Sequence, residues 1–295
     1  MISLDAEEIL ASIRSPYEKS GSWFGQAWGV FWANSKVLFS YRTWLATELL
    51  GMPVSVAIYF FTSMLVVKPS LADAGYGTDY LSFALIGVSM TNFVWVTIVR
   101  LSHTIQHEVE DGTLEVVLSS PTRMSAYLVG QSLRGLLLGG IFFIATMLVG
   151  VTFFGASLRT DAFTLLYAAT LILFTLFANL GIGVVAAAVI LVYKRGDPVV
   201  FIVSALTEFL SGVVYPLKLL QGFPILQQIS IVLPYTYGLE GVRHLLLEGA
   251  TLQATTILYD FMVLLLYVLL LYPTAFYAFR MSFDRIRREG TTASY

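Results

Sequence analysis

The chain has 295 residues, of which 57% are hydrophobic and only 12% charged, with a net charge of −2 and a mean hydropathy of +0.77. Soluble domains carry about 25% charged residues, so too little polar surface is left here to cover a water-soluble sphere, and the composition is that of an integral membrane protein. The near-neutral charge supplies no basic field for nucleic acid, and the absence of cysteine excludes disulfides, thiolate metal sites and a cysteine nucleophile.

The first stretch, MISLDAEEILASIRS, is acidic and lacks the basic n-region of a cleavable signal peptide. WFGQAWGVFWANSKVLFSYRTW follows, with Trp23, Phe24, Trp28, Phe31, Trp32 and Phe39 clustered at three- and four-residue steps. That spacing predicts an amphipathic helix lying in the headgroup layer, indoles at the boundary between oil and water. It completes a cytoplasmic N-terminal unit over residues 1–47.

Six apolar segments then fill a transmembrane domain over 48–279, at 48–67, 80–101, 126–154, 161–193, 198–216 and 256–279. A span needs about 20 helical residues, so the fourth is long enough to tilt or project beyond the bilayer. Of the 17 Lys and Arg, twelve fall on one set of flanks, from Arg14 and Lys19 to Arg287 and Arg288, and four on the other, at Lys68, Arg159, Lys218 and Arg243. Arg134 lies inside the third segment, placed to snorkel. Positive charge accumulates on the cytoplasmic side, which puts both termini there and makes the chain a multi-pass protein of the inner or plasma membrane. Between spans five and six, residues 217–247 are too apolar for a free loop, while Pro216, Pro224 and Pro234 forbid one continuous helix. Short helices dipping into the outer leaflet and back fit that pattern. The tail, 280–295, is basic and sits at anionic headgroups. The expected fold is thus all-α, with six transmembrane helices, an N-terminal interfacial helix and short re-entrant helices before the last span.

The loop over 102–123 concentrates acid: Glu108, Glu110, Asp111 and Glu115. Its helical spacing breaks at Asp111-Gly112 and stops at Pro121, which reads as two short helical pieces with a turn at Gly112 and Thr113 able to cap the second. A free loop has no use for Leu114, Val116, Val117 and Leu118; a surface acidic at one end and apolar at the other suits a docked partner.

Within the spans, Glu208 sits about 15 Å deep, where a carboxylate must be protonated, partnered or facing water. A hydrogen bond to Asn179 and a substrate-facing role are equal readings. Asn92 and Asn179 otherwise read as helix–helix contacts, and the small residues of ANLGIGVVAAA, 178–188, as a close-packing stretch. His103 and His107 have the spacing of two metal ligands but lack a third, so no metal site is assigned. No G-x-x-x-x-G-K-[ST] loop is present, so the chain does not bind ATP in that way.

The loop resembles that of the membrane subunits of type-2 ABC exporters, whose pattern close to "E…GTLE…L…SP" is matched by Glu108, Gly112, Thr113, Leu114, Glu115, Leu118, Ser120 and Pro121. A second stretch, with Ser204, Leu210, Ser211, Val213, Leu220, Gln221, Pro234, Tyr237 and Arg243, is similar to the family's signature, with departures at Thr207 and Tyr235. The resemblance implies that Glu108, Glu110, Asp111, Gly112, Thr113, Leu114, Glu115 and Pro121 form a coupling helix. That helix would seat in a cytoplasmic ATP-hydrolysing subunit present in two copies, with ATP and Mg on that partner and no cofactor on this chain. It also implies a second permease half, expected as a homodimer, and Ser211, Pro234, Tyr237 and Arg243 as the signature region. The implied activity is export of an amphiphilic molecule, drug-like or lipid, with Glu208, Asn179 and Asn92 as candidate path residues. A polysaccharide or lipid-linked glycan exporter shares the same plan. A proton-coupled secondary transporter using Glu208 is the alternative from another class.

Overall fold

In the computed structural model, described for residues 21–65, 71, 75–77, 79–111, 116, 120–193, 197–248 and 255–289, every regular element is a helix. Helix α1, Trp23–Ser40, starts where the Ser22 hydroxyl accepts the Gly25 amide at 3.1 Å, a side-chain cap for one of the orphan amides of a first turn. It buries Ala27, Ser35 and Leu38 and leaves Phe24, Trp28 and Trp32 exposed, the last two stacked at 6.4 Å. The two-faced helix expected from the aromatic spacing is therefore present, and its polar-and-small face lies on α4.

A break at Tyr41 leads into α2, Arg42–Ser63, six residues before the expected start, with Pro53 inside it. Helix α3 runs unbroken from Tyr80 to Glu110, 31 residues and about 46 Å. The second span and the first half of the acidic loop are thus one helix, where a separate piece was expected. Its interior holds no proline to break it. Helix α4, Met124–Phe154, stops at Gly155, whose φ of 72° ends the helix. Helix α5, Ala162–Tyr193, is capped by Asp161, which accepts the Thr164 amide at 3.0 Å, a bond that holds this carboxyl below its ordinary pKa.

Among the described residues five helices are long and apolar enough to cross a membrane: Arg42–Ser63, Tyr80–Ile98, Met124–Phe154, Ala162–Ala186 and Thr255–Ser282. The segment expected as a continuous span over 198–216 is different. Helix α6, Asp197–Leu210, has 14 residues, about 21 Å against a hydrocarbon core of about 30 Å. It ends because Gly212 turns the chain at a φ of 67° and Pro216 follows. After it come a 3-10 turn, Leu217–Gly222, and two short helices, α7 (Pro224–Val232) and α8 (Pro234–Arg243), each with proline in its first turn. A π turn, His244–Glu248, leads on towards α9, Thr255–Glu289. The prolines therefore divide 217–247 as its sequence required.

Helix α3 is the central post. Within the candidate spans 78% of its window is buried, against 11% for α2 and 11% for α9. The core joins Met90 and Phe93 of α3, Leu171 and Leu176 of α5, Leu239 of α8 and Leu264 of α9. The small-residue stretch of α5 does allow close approach: a methyl on Gly181 would come 2.8 Å from Leu271 Cβ, and one on Gly183 2.9 Å from Ile98.

Candidate functional site

Three places carry polar chemistry: a buried lock around Arg243, the turn beyond α3, and a cleft beside α2.

Arg243, at the end of α8, is fully buried. Its Nη1 donates to Gly212 O at 2.8 Å and to Glu240 Oε1 at 3.3 Å; its Nη2 donates to Val213 O at 2.6 Å and Phe83 O at 3.4 Å. The guanidinium lies 3.6 Å over the Phe83 ring. The carbonyls just past the end of α6 have no helical partner, and a five-donor planar cation is suited to gathering them. Burial pulls the guanidinium below its ordinary pKa, and the Glu240 carboxylate opposes that pull. Glu240 in turn accepts the Tyr76 hydroxyl, which burial and Glu240 push well above the ordinary tyrosine range. Gly87 of α3 is what lets the chain come this close, since a Cβ there would stand 2.1 Å from Val213 O and 2.7 Å from Arg243 Nη2.

The rest of the signature region closes the same lock. The Thr236 hydroxyl donates to Ser230 O at 2.9 Å and accepts the Ser211 hydroxyl at 3.0 Å. Tyr235, a departure from the family pattern, shares a 2.7 Å hydrogen bond with Thr91 on α3. Pro234 is buried at the first position of α8, and the Tyr237 hydroxyl donates to Ile231 O at 2.8 Å. These residues join α3, α6 and α8 into one body, with both Nη atoms of Arg243 bonded and its buried Nε without a hydrogen-bond partner among the described residues.

At the opposite end of α3, Glu108 accepts the Tyr127 hydroxyl at 3.0 Å, and Gln131 donates to that hydroxyl at 3.1 Å. Asp111 and Pro121 are exposed. The side chain of Glu110 and residues Gly112, Thr113, Leu114 and Glu115 lie outside the described residues, as do the side chains of His103 and His107. The near side of the turn is held by Gln26 of α1, whose Nε2 donates to Pro121 O at 3.3 Å and whose Oε1 accepts the Arg123 amide at 3.1 Å. Trp23 Nε1 donates to Ser125 Oγ at 3.0 Å beside it. One amide side chain thus ties α1 to the root of the acidic loop. Gln26 escaped the sequence reading because a lone glutamine in an aromatic helix carries no local signal.

Of the polar residues in the spans, Asn179 is buried and its Nδ2 donates to Thr175 O in its own helix at 2.8 Å. Glu208 is exposed on α6. Asn92 is exposed on α3 and lines a cleft of about 380 Å³ between α2, α3 and α4, along with Thr47, Glu48, Ser55, Tyr59 and Thr146. Asn92 was expected as a path residue from sequence. The others lie about 30 to 55 positions from it along the chain, and no local pattern joins them.

A family model described as ABC-2 type transporter matches residues 26–247. No curated protein matches the chain, and no solved structure matches it.

Proposed function

Because this chain belongs to the ABC-2 type transporter family, a multi-pass membrane permease whose ATP is hydrolysed by a partner subunit, we propose that it is half of an exporter driven through the turn beyond α3. Two copies of the chain form the path, two ATPase subunits sit beneath them, and both termini face the cytoplasm. The sixth crossing is made by α6 together with the chain through Gly222, and α7 and α8 re-enter from the outer side. The cargo is an amphiphile, drug-like or lipid.

The observation that carries this reading is the construction of α3. A single helix leads from a buried, cross-braced centre to an acidic turn, and the root of that turn is fastened to α1 and α4 by Gln26. A push on the turn therefore reaches the middle of the bundle and biases a two-state equilibrium between inward- and outward-facing forms. Glu208, exposed on α6, does not present the enclosed carboxyl that a proton-coupled carrier relies on.

The test is the reconstituted complex with its ATPase. Leu114→Arg and Gln26→Ala are expected to lower substrate-stimulated ATP hydrolysis at least about tenfold while membrane insertion stays intact. Coupling unchanged in both variants overturns the docking role. Cysteines placed at Tyr17 and Gly290 are expected to resist impermeant reagents in intact cells; labelling from outside overturns the topology.

A further inference from the structure

We propose that the cleft between α2, α3 and α4 binds the head of a monovalent cationic amphiphile, with Glu48 as its counter-charge. This rests on the exporter reading for the direction of movement; the binding itself belongs to this chain alone.

Helix α2 is the loosest wall of the bundle. Of its 22 residues only Val56 is buried, and the gap it leaves against α3 and α4 encloses about 380 Å³, within the range of small-molecule sites. The α2 residues lining that gap run from Thr47 to Tyr59, about 18 Å along the helix axis. The cleft is thus long and narrow, the shape of a head with a tail.

Its chemistry is uneven. Glu48 is the only charged side chain on the walls; the other polar groups, among them Ser55, Asn92 and Thr146, are neutral. The carboxylate is exposed, and among the described residues no cation pairs with it. Arg42, six residues earlier, is off that face by the helical repeat. A carboxylate at span level without a counter-ion is unfavourable, and a ligand cation relieves it. The remaining wall is apolar, with Val56, Leu85 and Val88 for a hydrocarbon body, while Tyr59 and Phe142 offer ring faces that attract weakly hydrated organic cations. An anionic head meets Glu48 and is repelled. A sugar head satisfies the hydroxyls and leaves the charge unpaired.

Binding of radiolabelled tetraphenylphosphonium to the purified chain in octaethylene glycol monododecyl ether tests this. Saturable binding is expected, displaced by dodecyltrimethylammonium and not by the polyol amphiphile dodecyl maltoside. Glu48→Gln should weaken binding about tenfold or more, and Glu48→Asp should restore part of the loss, with the thermal transition of both variants unchanged. Should Glu48→Gln fail to fold, Asn92→Leu replaces it and is expected to weaken binding several-fold. No binding to the wild-type chain, equal binding to Glu48→Gln, or displacement by the maltoside as readily as by the cation overturns the proposal. Because no ATPase is present, such a failure leaves the exporter reading standing, and a failure to couple to an ATPase leaves the binding result standing.

Discussion

The two ends of polar chemistry in this bundle are built in opposite ways. Around Arg243 four carbonyl or carboxylate acceptors, two tyrosines and a serine–threonine pair close on one another with the guanidinium fully buried at the centre. Beside α2 a carboxylate, an amide and several hydroxyls face an open cleft and few are tied to each other. A buried network bonded on most of its atoms is rigid and costly to disturb; in the cleft the Thr47 and Ser55 hydroxyls donate only to carbonyls one turn back in their own helix, and no hydrogen bond among the described residues there braces one helix against another.

The comparison can be broken most severely at Arg243. Arg243→Met removes the donor for Gly212, Val213 and Glu240 and leaves Glu240 charged in a buried site, so a loss of about 3–5 kcal/mol is expected, read as a large drop in the thermal transition in detergent or as failure to accumulate. Gly87→Ala comes next. Its methyl has to displace either Val213 O or the guanidinium, at a cost of about 1–3 kcal/mol. Tyr235→Phe deletes the hydroxyl bonded to Thr91 and should lower stability by about 1 kcal/mol. Ser55→Ala, in the cleft, should fall within about 0.5 kcal/mol of the parent. A ranking in which Ser55→Ala matches Gly87→Ala in thermal shift contradicts the contrast between the two regions.

Much of the architecture was legible because lipid imposes long apolar runs and prolines interrupt them visibly. The paired faces of α1 followed from Trp23, Trp28 and Trp32, and the division of 217–247 from Pro216, Pro224 and Pro234. The limits of α6 were not legible. Val213 and Val214 continue an apolar run past Gly212, and only the arrival of Arg243 from 30 positions away shows where the carbonyls of Gly212 and Val213 find their donor. Arg243 itself was visible as part of a motif, but not as the group that collects those carbonyls. Hydropathy likewise separated 102–110 from the second span, since it sees a polar stretch and not the unbroken backbone beneath it. Glu48 is a carboxylate at the edge of an apolar segment; its place beside Asn92 and Thr146 depends on how three helices pack.

One consequence of the unbroken α3 remains. Gly87, where the guanidinium crosses it, lies about 35 Å from Glu110 along the axis. Helices α2 and α9 each contain a proline able to absorb bending, and α3 has none. With a collar near one end and its other end tied to α4 through Glu108 and Tyr127, it behaves as a lever turning on a fulcrum. A tilt of about 5° swings the far end by about 3 Å, so a small displacement there carries Tyr127 and the start of α4 with it.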